Sequence, residues 1–182
     1  NITPGQAVYD SVTQSIYLPD ASAASQNQGV FRLQYDPATE TILSSTAIAA
    51  GLIAPDDGPQ AAAFGPDRKL YLGLTKKGRI VRITTPNASS QTLEAVGATS
   101  NGLPATSLGF AGNDLYVAET VNVTRLVNAA QCSSACVAAK VNVGVLGPRV
   151  FAFDPASSNL YIADFSHVYR YNLNSQVLDL YA

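Results

Sequence analysis

One short phrase is written four times in this chain, as SIYLPD, KLYLGL, DLYVAE and NLYIAD. Its tyrosines are Tyr17, Tyr71, Tyr116 and Tyr161, separated by 54, 45 and 45 residues. A second apolar segment follows each phrase (VFRLQY, IVRITT, VTRLVN, VYRYNL) and supplies Arg32, Arg82, Arg125 and Arg170. A segment with an aromatic precedes each tyrosine (AVYDS, AAAFGP, SLGFAG, VFAFDP), and a looser apolar segment closes each unit (TILSSTAIA, QTLEAVGA, VAAKVNVG, QVLDLYA). Self-similarity at such a period marks a repeat architecture, and few folds can satisfy it.

The segments are short, rich in Val, Ile, Leu, Tyr and Phe, and bounded by Gly, Pro, Asn or Asp, which is the signature of strands. They are apolar on both faces, so each small sheet must be covered on both sides. Four strands per unit, with sheet stacked on sheet, predict an all-β β-propeller made of four-stranded antiparallel blades, four of them in this chain. The expected blades span about 5–50, 58–98, 104–144 and 148–182 of a single propeller domain or segment. The recurring tyrosine is expected to pack blade against blade. Three residues beyond it stand Asp20, Leu74, Glu119 and Asp164. Pairs Asp20–Arg32, Glu119–Arg125 and Asp164–Arg170 are therefore expected within blades, with the second blade lacking its acid.

The wording VFAFDPASSNLYIADFSHVYRYN, with LGFAGNDLYVAETVNVTRL and AAFGPDRKLYLGLTKKGRIVRI, resembles the NHL-type repeat and its gluconolactonase-like and strictosidine-synthase-like propeller relatives. The first unit is a looser copy with an insertion, ASAASQNQG. Because these relatives usually close with six blades, three arrangements are open. The chain belongs to a longer propeller polypeptide, which is the expectation; or it pairs with a second chain, four blades with four; or it closes alone. An incomplete ring leaves an apolar face at each end, which further blades or a partner should cover.

Composition narrows the function. Net charge is −2, from 11 basic and 13 acidic residues, which gives no global field for nucleic acid. The densest basic run, Arg68, Lys69, Lys76, Lys77 and Arg79, is expected at a solvated hairpin tip. No run approaches the apolar length of a membrane span. With 47% apolar residues, little Lys and a single cysteine pair, the chain suits a secreted, extracellular or periplasmic setting. Absence of Met at position 1 points the same way, toward a removed leader or a longer chain. Cys132 and Cys136 lack the spacing of redox or haem motifs, and point to a disulfide stapling a hairpin loop, with two buried thiols as the alternative. Asn1, Asn87 and Asn122 open glycosylation triplets.

In propellers the functional groups gather at the mouth of the central channel, on loops entering the inner strands. The lactonase-like resemblance implies metal ligands four residues before each inner-strand aromatic, Tyr9, Phe64, Phe110 and Phe153. Here those positions hold Gly5, Gln60, Thr106 and Arg149, with no carboxylate among them, so Gln60, Thr106 and Arg149 are expected as channel-facing ligand residues. Asp57 and Asn101 are weaker metal alternatives, out of register. His167 after Ser166 is expected to be a turn residue. No catalytic set and no cofactor follow from the sequence. The expectation is a non-catalytic scaffold that binds protein or glycan partners, the alternative being part of a gluconolactonase- or strictosidine-synthase-like hydrolase or lyase.

Overall fold

A computed structural model describes residues 4–22, 29–54, 57–132, 136, 138–141, 147–154 and 157–182. Among them the chain is all-β, with no helix, and forms four antiparallel sheets of four strands each. Blade 1 holds β1 (Val8–Asp10), β2 (Ser15–Pro19), β3 (Val30–Asp36) and β4 (Thr41–Ile48). Blade 2 holds β5 (Pro59–Phe64), β6 (Leu70–Leu74), β7 (Arg79–Ile83) and β8 (Leu93–Ala98). Blade 3 holds β9 (Ser107–Ala111), β10 (Asp114–Ala118), β11 (Val123–Leu126) and β12 (Ala138–Val141). Blade 4 holds β13 (Val150–Asp154), β14 (Asn159–Ala163), β15 (Val168–Asn172) and β16 (Leu178–Leu180). Strands pair in chain order within every blade, as hairpins joined by short turns require.

The core lies between blades. Tyr17, Leu70, Leu72, Val81 and Ile83 fill the joint of blades 1 and 2. Tyr71, Ile80, Leu108, Leu115, Val117 and Leu126 fill the next, and Tyr116, Phe151, Leu160, Ile162 and Tyr171 the third. The first two joints share one grammar. The repeated tyrosine of one blade meets the inner-strand aromatic of the following one edge to face, Tyr17 on Phe64 at 5.1 Å and Tyr71 on Phe110 at 4.8 Å. Close approach at two joints admits no side chain: a Cβ on Gly73 would fall 2.5 Å from that of Ala105, and one on Gly109 2.8 Å from the Phe151 ring.

The repeated arginine sits directly across from the tyrosine in every blade: Tyr17–Arg32, Tyr71–Arg82, Tyr116–Arg125 and Tyr161–Arg170 are register partners. This corrects the expected acid–arginine pairs. An acid three residues past the tyrosine is about 10 Å further along and, after an odd step, on the other face of the pleat. Arg82 and Arg170 instead pair across to the outer strand, with Glu94 at 2.7 Å and Asp179 at 2.9 Å. In blade 3 the outer-strand partner is Ala139, and Arg125 turns to Asp114 on its other side. Arg32 reaches into the next blade, donating to the Asn87 carbonyl at 3.3 Å.

Candidate functional site

With up-and-down strands, the loop entering an inner strand and the turn between second and third strands emerge at one end of the blade. That end is the channel mouth, and it is where the tyrosine-plus-three acids lie. Asp164 accepts from the backbone N–H of Ser166 and His167, both at 2.7 Å, and those bonds, the Ser166 one foremost, hold its carboxyl below the usual range. Asp20 accepts from the Ser22 N–H at 2.9 Å. Glu119 is fully buried and gathers Thr124 Oγ1, Ser100 Oγ and Asn101 Nδ2. These acids therefore close mouth-side turns, which is the role their position serves.

Blade 2, whose sequence offers Leu74 there, borrows its acid. Asp57, 1% exposed, accepts from the Lys76 N–H and pairs with Arg79 at 3.1 Å, closing the β6–β7 turn from the preceding loop. Asp57 thus already has its cation, and Asn101 its carboxylate, and no group of three or more His, Cys, Asp or Glu side chains suited to a metal occurs among the described residues. The basic run is likewise dispersed and not one tip. Arg68 and Lys69 lie in the β5–β6 turn at the far end, paired with Asp10 at 2.8 Å and Asp67 at 3.7 Å, whereas Lys76, Lys77 and Arg79 lie at the mouth.

The three ligand candidates separate. Gln60 lies on β5, with its carbonyl taken by the Gln6 N–H at 2.8 Å. Thr106 and Arg149 come together, lining one cleft of about 100 Å³ with Thr120, Gly147, Pro148 and Phe165. Thr106 enters β9 with both its N–H and its hydroxyl donating to the Ala118 carbonyl, at 2.8 and 3.2 Å. Arg149 precedes β13, anchored by its N–H to the Ala163 carbonyl at 2.9 Å. Its guanidinium lies 4.1 Å from the centroid of Phe165, a cation–π contact on a ring that is 80% exposed. Among the described residues no carboxylate pairs with Arg149, so its charge is held in place by an aromatic face and open to an anion. Thr120 and Phe165 were not singled out from the sequence. Both are the residue directly after the turn acid, in neighbouring blades, which is the signal that would have found them.

Other expected sites resolve plainly. Cys132 and Cys136 form a disulfide in the β11–β12 connection, packed on the joint of blades 2 and 3. Ser166 Oγ lies 2.8 Å from His167 Nδ1, and Asp164 Oδ1 stands 3.7 Å from the same nitrogen. A triad needs the imidazole to bridge base and nucleophile through its two nitrogens; here one nitrogen faces both, in an exposed turn. The Asn122 Nδ2 is buried with no hydrogen-bond partner, so it is closed to a glycan, while Asn87 is exposed in the β7–β8 connection. Asn1 and most of the ASAASQNQG insertion lie outside the described residues.

Radially packed four-stranded sheets with a polar mouth define the class: a β-propeller. Among solved structures, the chain is similar to a gluconolactonase from Xanthomonas campestris, at TM-score 0.70 and 13% identity over 97% of this chain and 61% of that one. It is similar to a virginiamycin B lyase from Staphylococcus aureus crystallised with quinupristin, at TM-score 0.70 and 14% identity over 100% of this chain and 56% of that one. It is also similar to a chain of a nidogen/laminin complex, at TM-score 0.68 and 14% identity over 87% of this chain and 59% of that one. At such identity the likeness is one of fold, and the chain spans less than two thirds of each neighbour. No family model and no curated protein matches it.

Proposed function

We propose that the chain is an extracytoplasmic propeller binding module that recognises an anionic group of a protein or glycan partner at the mouth of blades 3 and 4. The observation that carries this is Arg149, laid on Phe165 beside the Thr106 and Thr120 side chains, with no carboxylate of its own among the described residues. A carboxylate fits the charge, the Thr106 hydroxyl being engaged with the Ala118 carbonyl, and a cleft of about 100 Å³ admits such a group but not a whole ligand. The disulfide accords with an oxidising compartment, and no helix among the described residues is long and apolar enough to cross a membrane. A neighbour within a nidogen/laminin complex lends support to protein binding.

The test is calorimetric titration with glucuronate, N-acetylneuraminate and an Asp/Glu-rich peptide. Binding to one of them that is lost in Arg149→Ala and weakened in Phe165→Ala supports the proposal. No binding, or binding indifferent to Arg149→Ala, refutes it. The enzymatic alternative draws on the gluconolactonase and lyase neighbours. It predicts lactone hydrolysis by the protein with calcium or zinc, and a thermal stabilisation by the same ion.

A further inference from the structure

Of the asparagines that open an Asn-x-Ser/Thr triplet, Asn87 and Asn122 lie among the described residues, and the fold treats them oppositely. Asn122 is 8% exposed in the β10–β11 turn, where its backbone carbonyl accepts from the Glu119 N–H at 2.7 Å. The hydroxyl of its triplet, on Thr124, is fully buried and donates to Glu119. Asn87 stands in the β7–β8 connection, where Asn87, Ala88, Ser89 and Ser90 are all exposed.

The two ends of the Asn87 side-chain amide have different surroundings. Its Oδ1 accepts from the Tyr17 hydroxyl and from Arg32 Nη1, the latter at 3.5 Å, while its backbone carbonyl accepts from the same guanidinium at 3.3 Å. A guanidinium can only donate, so the amide oxygen faces the joint of blades 1 and 2 and the amide nitrogen turns away from it. Among the described residues none hydrogen-bonds that nitrogen. N-glycosylation works on the nitrogen alone. Nδ2 bonds to the anomeric carbon of an oligosaccharide as that carbon leaves its lipid pyrophosphate, which departs with the bonding pair while Nδ2 gives up one proton. The carbonyl oxygen is untouched, so a sugar at Asn87 costs the joint neither of its side-chain hydrogen bonds.

We propose that Asn87 is an N-glycan acceptor, carrying one oligosaccharide beside the joint of blades 1 and 2, and that Asn122 is not. The disulfide accords with the oxidising compartment in which such transfer takes place. Successive turns of an antiparallel blade alternate between its two ends, so the β7–β8 connection opens away from the mouth, where the β6–β7 turn lies. A glycan there leaves the Thr106–Arg149 cleft open. At Asn122 the nitrogen is buried, and a sugar on it requires the β10–β11 turn to open and Glu119 to part from Thr124, Ser100 and Asn101. One triplet is thus built to carry a sugar and the other is shut by its own blade.

The experiment is secretion of the whole chain from insect cells, with each triplet mapped separately by peptide mass before and after enzymatic removal of N-glycans. Asn87 is expected to be occupied in most molecules and Asn122 in none. Ser89→Ala takes away the hydroxyl that the transfer requires and touches neither Tyr17 nor Arg32, so position 87 is expected bare, with the fold kept. Its melting midpoint is expected no higher than that of the unaltered protein trimmed enzymatically to the first sugar. Asn87→Gln is expected bare as well, and lower melting than Ser89→Ala, because it loses the grip of Tyr17 and Arg32 on Oδ1. A bare Asn87 in the secreted, folded chain overturns the proposal, and so does a glycan on Asn122. A trimmed protein that melts below Ser89→Ala overturns it too, since the sugar would then disturb the joint it is argued to spare.

Discussion

Arg82 and Arg170 occupy one position of one repeat, yet the structure assigns them different energetic weight. Arg82 is 5% exposed, with Glu94 at 2.7 Å, the Tyr71 hydroxyl at 3.3 Å and the Ala129 carbonyl at 3.4 Å. Truncation to Ala removes two buried methylenes, worth about 1.5 kcal/mol. It also removes two long hydrogen bonds of about 0.5 kcal/mol each, and a pair with half-exposed Glu94 worth about 0.5 kcal/mol. Relief of the guanidinium's desolvation returns about 1 kcal/mol. The net loss is about 2 kcal/mol, or a melting point lower by roughly 4–8 °C for a chain of this size. Arg170, paired with Asp179 at the solvent-facing side of blade 4, is expected to leave the midpoint within error when truncated. Urea unfolding of both variants gives the comparison. Equal effects at the two positions would refute the claim that an arginine buried between blades outweighs a solvent-facing one, whatever their absolute size.

Three further outcomes follow from single contacts. Burial pushes the Tyr71 hydroxyl up to about 12, above its unfolded value, so its contribution to stability is whole below pH 10 and is lost as pH rises from 10 to 12; denaturant midpoints across that range, with Tyr71→Phe as control, should show it. Gly73→Ala sets its new methyl 2.5 Å from the Ala105 Cβ, and neither carbon can swing aside, so overpacking should cost about 1–3 kcal/mol by thermal melting. Reduction of Cys132–Cys136 opens so small a ring that the unfolding free energy should fall by only about 2 kcal/mol in denaturant titration, an effect that Cys132→Ser should reproduce without reductant.

The repeat was legible because its period and its apolar segments answer to the same demand, two covered faces per sheet. The tyrosine's role was legible for the same reason: Tyr17 and Tyr71 are fully buried between blades. The ion pairs were not, although the sequence held what was needed. Counting from Tyr116 to Glu119 gives an odd step, which places the acid off the face it shares with Arg125; parity excludes the pair before any coordinates. Borrowing was beyond reach, since nothing in APDDGP distinguishes the acid that closes the β6–β7 turn from its neighbour. At the mouth, counting back from an inner-strand aromatic singled out Thr106 and Arg149, which the structure places in one cleft. Phe165 was passed over, because an aromatic in a turn carries no periodicity and gains meaning only from the blade beside it.

Gln6 has a consequence for how the chain is made. Its side-chain amide donates to the Leu108 carbonyl at 3.2 Å and accepts from the Leu108 N–H at 2.8 Å, clipping the leading segment onto a strand 102 residues later. On a ribosome moving at about 5–20 residues per second, that acceptor emerges roughly 5–20 seconds after the amide that seeks it. The leading segment therefore waits while two sheets assemble from local hairpins. The clip closes only once about a hundred further residues have been made, with blade 4 still to follow.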